Sequence, residues 1–141
     1  MIQKRQNEPQ EKEVESAAET DRPPASEAER DLLISACRDK NRRFVERTRE
    51  RPTEWRPYEV LVPDLAEFNI CYTDNTAFEF AAEQISAGYA VKKIALRHPQ
   101  GSHGYEMTFL RADHRVLYVK LELKGQSVFG RSFHFSTKIG I

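Results

Sequence analysis

The fold is decided near the C-terminus, by the stretch LYVKLEL at residues 117–123 and, after a short break, by VFGRSFHF at residues 128–135. Successive side chains of a β-strand point to opposite faces of its sheet. The apolar residues of the first stretch therefore share one face: Leu117, Val119, Leu121 and Leu123. The other face carries Tyr118, Lys120 and Glu122. The two stretches predict a β-hairpin with one apolar and one polar face.

The same period of two continues over neighbouring segments and predicts an antiparallel meander. The strands are expected at residues 90–98, 104–110, 115–123 and 127–135, with short turn-rich connections between them. In the last strand, Phe129, Phe133 and Phe135 are expected on the apolar face with the leucines. That register would place Arg131 among the phenylalanines, unless a bulge at Gly130 turns its side chain to the polar face.

Two helices are predicted ahead of the meander. The first starts at Ser26, which has the capping-box spacing to Glu29, and runs to about residue 51, where Pro52 stops it. Its apolar stripe consists of Leu33, Ala36, Cys37 and Phe44. The second helix follows the caps at residues 73–76 and ends at Gly88, with a stripe of Phe78, Ala81, Ala82 and Ile85. Residues 52–72 contain three prolines, and residues 58–62 there form either a short strand or an apolar connector.

These elements predict an α+β fold, in which two N-terminal helices pack on one face of a four-stranded antiparallel sheet and the polar face stays open. Residues 1–26 contain almost no large apolar side chains and are expected to be a disordered acidic tail. A single domain is expected over residues 27–141.

Charge is unevenly distributed along this chain of zero formal net charge. Residues 89–141 carry nine basic and three acidic side chains, whereas residues 1–88 are acidic on balance. A polyanion would bind the strand-rich part, although such an excess also occurs on inert surfaces. With two cysteines and no apolar stretch of membrane-spanning length, we expect a cytoplasmic protein without a membrane partner.

The polar face carries the side chains that metal-free RNA cleavage requires. Lys120 and Arg131 are candidates to hold the phosphate, and Tyr118 and His134 are candidates to move protons or to orient the reacting groups. Each also has a structural interpretation, as a packing residue, a surface lysine, a strand-edge histidine or an ion-pair partner. The alternation of residues 90–98 and 104–110 adds three candidate RNA-binding residues to this face: Lys93, Arg97 and Glu106.

Other kinds of site are less well supported by the sequence. His98, His103 and His114 lie at turns without a cysteine or acidic residue at ligand spacing, so we expect no metal site. Neither a phosphate-binding loop nor a dinucleotide-binding fingerprint is present, so we expect no cofactor.

Three short motifs carry a resemblance to a known family. Arg38-x-Lys40-Asn41, Tyr118-x-Lys120-Leu121 and Ser132-Phe133-His134 together resemble the MqsR-like toxins of bacterial toxin–antitoxin systems, over about residues 30–136. The resemblance implies a RelE-like fold, cleavage of mRNA and inhibition by a cognate antitoxin protein. It also implies that Tyr118 and His134 lie in the active site. His134 stands where the best-known member has lysine, a change that makes activity more sensitive to pH.

The sequence thus favours an endoribonuclease that cleaves mRNA through a 2′,3′-cyclic phosphate. The alternative is a non-catalytic module that binds a protein or RNA through the edge of the meander or its basic face.

Overall fold

In the computed structural model of the chain, the described residues are 22–47, 54–96 and 103–139. They form two α-helices, α1 (Glu27–Cys37) and α2 (Asp74–Ser86), and two 3-10 helices, Pro57–Glu59 and Pro63–Phe68. The strands are β1 (Arg43–Phe44), β2 (Glu54–Trp55), β3 (Lys92–Ala95), β4 (His103–Leu110), β5 (Arg115–Lys124) and β6 (Ser127–Ile139). The predicted mixed α+β class is confirmed, and predictions for residues 1–21 lie outside the described residues.

One mostly antiparallel sheet contains six strands. Its order is β1-β6-β5-β4-β3, and β2 also pairs with β6. Strands β3 to β6 form the predicted antiparallel meander. Strands β1 and β2 run parallel to β6, so the predicted count of four strands was too low. Each of these two strands is only two residues long, which is too short for an alternating pattern to show in the sequence.

Helix α1 begins as predicted but ends much earlier. The Ser26 side chain accepts a hydrogen bond from Glu29 N, and the Glu29 side chain accepts one from Ser26 N, which completes the capping box. The helix ends at Cys37, because the chain then turns through a hydrogen bond from Arg42 N to Asp39 O at 2.9 Å. The predicted helical stripe is therefore wrong at Phe44, which lies in β1 and is 42% exposed.

Helix α2 agrees closely with its sequence signals. Thr73 caps its N-terminus in a reciprocal pair with Thr76, and Gly88 beyond its end has a positive φ of 96°. The predicted stripe is buried, together with Ala77: Phe78, Ala81, Ala82 and Ile85. This face contributes to a single hydrophobic core shared by α1, α2 and one face of the sheet.

Trp55 lies in the middle of that core and was not identified from the sequence. It is fully buried, and its ring centroid lies 4.8 Å from that of Phe78 and 5.4 Å from that of Phe133. Around it pack the predicted sheet residues Leu117, Val119 and Leu121, all fully buried. The helices and the apolar sheet face therefore form the inside of the domain, and the polar sheet face lies opposite.

The segment before β3 and the connector after β2 complete the domain. Residues 22–25 fall within the predicted tail but lie along β3, where Pro24 bridges Lys92 and Ala25 N donates to Val91 O at 2.9 Å. Residues 58–62 form a connector with a single bridge, from Leu61 to Cys71. Among the described helices, none has the length and apolar character that a membrane crossing requires.

Candidate active site on the polar sheet face

Strand register assembles a row of polar side chains on the sheet face opposite the helices, here called the polar face. Tyr118 on β5 pairs directly with His134 on β6. One position along, Lys120 pairs with Glu106 on β4 and with Ser132 on β6. The residues of the polar face are Glu106, Tyr118, Lys120, Glu122, Arg131, Ser132 and His134.

A β-bulge brings Arg131 to this face. Lys120 pairs with Ser132 but Leu121 pairs with Gly130, which leaves Arg131 as an additional residue on β6. Its Nη1 atom lies 2.5 Å from Oε1 of Glu122. The predicted bulge at Gly130 is therefore confirmed. Glycine suits this position because a Cβ there would lie 2.6 Å from the Trp55 ring.

The same bulge reverses the faces of β6 on its N-terminal side. Phe129 pairs with Glu122 and so lies on the polar face, and its predicted place in the core is wrong. Its ring centroid is 5.3 Å from that of Phe44, and Nζ of Lys124 lies 4.5 Å from the centroid. Phe133, on the other side of the bulge, is buried in the core as predicted.

Glu106 orients the hydroxyl group of Tyr118. The Tyr118 hydroxyl donates to Oε2 of Glu106 at 2.6 Å, while the other carboxylate oxygen, Oε1, accepts from Nη1 of Arg22. Glu106 is 7% exposed, and it sits on the polar face as predicted. The sequence did not identify Arg22, because it lies in a segment whose composition is typical of a tail. Arg22 and Tyr118 together hold this carboxylate in one orientation.

The imidazole of His134 has one nitrogen committed to the backbone. Nδ1 lies 2.9 Å from the carbonyl oxygen of Phe135, which can only accept, so Nδ1 carries a proton. In the neutral ring Nε2 is then the acceptor. Within the part of the chain that the structure describes, Nε2 makes no hydrogen bond. The Tyr118 and His134 ring centroids are 5.8 Å apart.

Lys120 is a partly buried cation in the middle of the polar face. Burial lowers the pKa of its ammonium group and the charge of Arg131 lowers it further, while Glu106 acts in the opposite direction. No hydrogen bond or ion pair joins its Nζ to another of the described residues. An anion that reached the polar face would therefore meet an ammonium group that has lost part of its hydration.

Glu122 is the fully buried carboxylate of the polar face. Arg131 holds its Oε1 atom, whereas Oε2 is buried without a hydrogen-bond partner among the described residues. The sequence placed Glu122 on the correct face but not in this pair. A polar residue between two strand leucines was the available signal, and it does not reveal burial.

Two predicted RNA-binding residues are not found at this site. Lys93 pairs with Tyr105 on the helix-covered face, and its Nζ lies 2.6 Å from Oε2 of Glu29, so its predicted place on the polar face is wrong. Its neighbour Lys92 pairs with Glu106 instead. The alternation of β3 was assigned to the wrong faces because this strand is only four residues long. Arg97 lies outside the described residues.

The Glu29 carboxylate on the helix side is strongly held. Burial by itself would raise the pKa of this carboxyl group, but hydrogen bonds from Lys93, the Ser26 backbone and Tyr105 outweigh burial and lower it to about 2. The Tyr105 hydroxyl donates to Oε2 at 2.7 Å. Lys93 therefore joins α1 to the sheet and takes no part in the polar face.

Metal-binding side chains are not clustered at this site. Over residues 22–47, 54–96 and 103–139, no three histidine, cysteine, aspartate or glutamate side chains lie together as a metal site would require. The groups that can contact a substrate at the polar face are an imidazole, a phenol, an ammonium and a guanidinium. These groups exchange protons and bind anions.

Comparisons of the chain with protein-family models, with curated proteins and with solved structures found no match.

Proposed function

We propose that the protein is an endoribonuclease that cleaves mRNA at the polar face through a 2′,3′-cyclic phosphate, without a metal. One observation carries the proposal: Tyr118 and His134 are direct cross-strand partners, and Lys120 lies in the adjacent row of the same face. A base, a hydroxyl group and a cation are thus available within a few ångströms of one another. Cleavage of a phosphodiester by an adjacent hydroxyl requires these three kinds of group.

In the proposed reaction the ribose 2′-oxygen bonds to phosphorus while the bond from phosphorus to the 5′-oxygen breaks. Nε2 of neutral His134 accepts the 2′-hydroxyl proton. Tyr118 donates its proton to the departing 5′-oxygen and regains one from His134 through solvent. Lys120 balances the negative charge that develops on the phosphoryl oxygens.

Glu106 and Arg131 support these groups. Glu106 holds the Tyr118 hydroxyl between turnovers and limits its rotation. Arg131 is engaged with buried Glu122, so its role is less direct than contact with the phosphate. Its positive charge lowers the pKa of Lys120 and makes that ammonium group easier to deprotonate.

The toxin assignment is part of the same proposal. It rests on the resemblance of the Tyr118-x-Lys120-Leu121 and Ser132-Phe133-His134 motifs to MqsR-like toxins, and it includes the RelE-like fold, a cytoplasmic location and a cognate antitoxin. Expression in a bacterial host provides its test. Growth should stop on induction and recover when the product of an adjacent reading frame is supplied.

A non-catalytic binding module is the second candidate, and one observation favours it. Glu106 and Glu122 already occupy Arg22, Tyr118 and Arg131, so much of the polar face forms a closed network of ion pairs and hydrogen bonds. Two carboxylates also weaken the attraction of this face for a polyanion.

End-group analysis separates the two candidates. A 5′-labelled RNA of defined sequence is incubated with the full chain in excess chelator, and the products are examined for 2′,3′-cyclic phosphate ends. Such ends would support the endoribonuclease. An intact RNA, whether it comigrates with the protein or not, would contradict cleavage, and comigration would support the binding module.

A further inference from the structure

The residues from Leu61 to Cys71, here called the 61–71 loop, form a separate exposed feature. Its ends meet at the Leu61–Cys71 bridge, and Val62 N donates to Ile70 O at 2.9 Å. Between them lies the 3-10 helix Pro63–Phe68, in which no residue is buried. The loop uses a segment of regular structure without adding side chains to the core.

The exposed side chains of this loop are sorted into rows by the 3-10 geometry. Three residues complete one turn, so residues three apart lie in line. Leu65 and Phe68 therefore form an apolar row, and Asp64 and Glu67 form an acidic row beside it. Leu65 is 38% and Phe68 is 64% exposed, and Ile70 is 44% exposed. Runs of 3-10 helix this long are uncommon.

The loop is held firmly to the domain. Nη2 of Arg111 donates to the carbonyl oxygen of Leu61 at 2.9 Å, and Tyr72 N donates to Val60 O at 3.0 Å. Tyr72 is buried, and its ring centroid lies 5.3 Å from that of Phe133 in the core. The apolar row is therefore presented in a preformed arrangement, which reduces the entropy lost when a partner binds.

The charge around the apolar row indicates what kind of partner fits. Residues 57–70 contain Glu59, Asp64 and Glu67 and no lysine or arginine. Neither Asp64 nor Glu67 makes an ion pair within the described part of the chain. A polyanion such as RNA would be repelled here, whereas a cationic apolar surface would be attracted.

We propose that the 61–71 loop is a docking surface for a basic amphipathic helix of a partner protein. The apolar side of that helix contacts Leu65, Phe68 and Ile70, and lysine or arginine side chains at its border face Asp64 and Glu67. Exposed apolar patches bordered by polar residues are typical of protein interaction sites. The inference is independent of the chemistry proposed for the polar face.

Two synthetic peptides test the proposal. Each forms an amphipathic helix of about five turns with a leucine stripe, bordered by lysine in one peptide and by glutamate in the other. They are titrated into the full chain labelled with ¹⁵N. The lysine peptide should shift amide signals of residues 61–71 in a saturable way, and the glutamate peptide should not.

Matched variants locate the contact. Phe68→Ser should weaken binding of the lysine peptide by about tenfold or more, as expected for loss of a central aromatic contact. Leu110→Ser is the control, because Leu110 is 63% exposed on β4, outside the loop. Replacing Asp64 and Glu67 together by lysine should reverse the preference between the peptides. Unchanged amide spectra away from the loop would show that each variant is folded.

Several results would overturn the proposal. The lysine peptide might leave residues 61–71 unshifted, or both peptides might bind equally, which would remove the role assigned to charge. Concentration-dependent self-association that Phe68→Ser abolishes would instead assign the surface to a second copy of this chain.

Discussion

Tyr118 and His134 face each other across the β5–β6 pair, and Glu106 holds the tyrosine hydroxyl from β4 at 2.6 Å. Three adjacent strands thus contribute to one short chain of polar contacts. The hydroxyl and the imidazole are placed by backbone pairing, which is the most rigid support that a sheet provides. Small side-chain changes should therefore alter chemistry without altering the fold.

Tyr118→Phe removes the hydroxyl group, and His134→Gln removes the imidazole while keeping a polar side chain. Each change should lower the rate of RNA cleavage by about 10²-fold or more, the scale for loss of a positioned acid or base. RNA affinity should change little, since neither residue is the main phosphate contact in the proposal. Single-turnover rates and equilibrium binding would measure the two effects separately.

The matched controls are Tyr58→Phe and His103→Gln, which change exposed residues away from the polar face. Both should cleave RNA at the parent rate. Parent-level cleavage by the Tyr118→Phe/His134→Gln double variant would assign these two side chains to packing and favour the binding module.

Lys120 should make anion binding depend on pH in a definite direction. Its pKa is lowered in the free protein by burial and by Arg131, and a bound phosphate would stabilise the ammonium form and raise that pKa. Above the pKa of the free protein, binding must therefore take up a proton. Affinity for inorganic phosphate or RNA should then fall as pH rises, by up to about tenfold per pH unit between the free and bound pKa values.

Lys120→Arg should remove most of this dependence, because a guanidinium stays charged over the whole range. Lys40→Arg, at an exposed position, should retain the parent behaviour. Calorimetric titrations in buffers of different ionisation enthalpy would detect the proton uptake directly. Equal pH profiles for the parent and Lys120→Arg would show that Lys120 does not bind the anion.

Gly130→Ala should destabilise the domain by about 1–3 kcal/mol, the usual cost of overpacking a closed core. A Cβ at this position would lie 2.6–2.9 Å from three atoms of the buried Trp55 ring. Because the bulge at Gly130 also turns Arg131 to the polar face, cleavage should fall as well. Denaturant unfolding measures the first effect, and Ser127→Ala on the same strand should change stability by no more than about 0.5 kcal/mol. A variant as stable as the parent would mean that Trp55 moves aside at little cost.

Glu29 should contribute to acid stability. Its carboxyl pKa is lowered from the ordinary value of 4.5 to about 2, so the folded state favours the ionised form. This contribution is complete above about pH 4.5 and is lost as pH falls towards 2. The free energy of unfolding of Glu29→Gln should therefore depend less on pH in this range than that of the parent. Glu27→Gln, an exposed change in the same helical turn, is the control, and identical slopes for Glu29→Gln and the parent would contradict the assigned contacts.

Local sequence signals were sufficient wherever an element was long enough to show its period. The alternation of residues 117–123 correctly separated Leu117, Val119 and Leu121 from Tyr118 and Lys120. The capping box at Ser26 and the glycine stop at Gly88 also mark real helix ends. Each of these signals acts over a few neighbouring residues, so it does not depend on distant parts of the chain.

Short elements were decided by pairing with distant residues. The pair Arg43–Phe44 becomes β1 only because β6 is there to bind it in parallel, and Phe44 therefore leaves the predicted helix. The same applies to Glu54–Trp55, which brings Trp55 into the core. Lys93 occupies the helix-covered face because Glu29 and Tyr105 provide partners for its charge there.

The residues of the polar face were thus determined by sequence, and their contacts by tertiary structure. Alternation alone put Tyr118, Lys120 and Glu122 on one surface, because side-chain direction along a strand follows from backbone geometry. Which partner each of them meets depends on strand register, on the bulge at Gly130 and on the entry of Arg22 from outside the meander. These features arise from packing against Trp55 and β3, and no local pattern encodes contacts between residues so far apart in the chain.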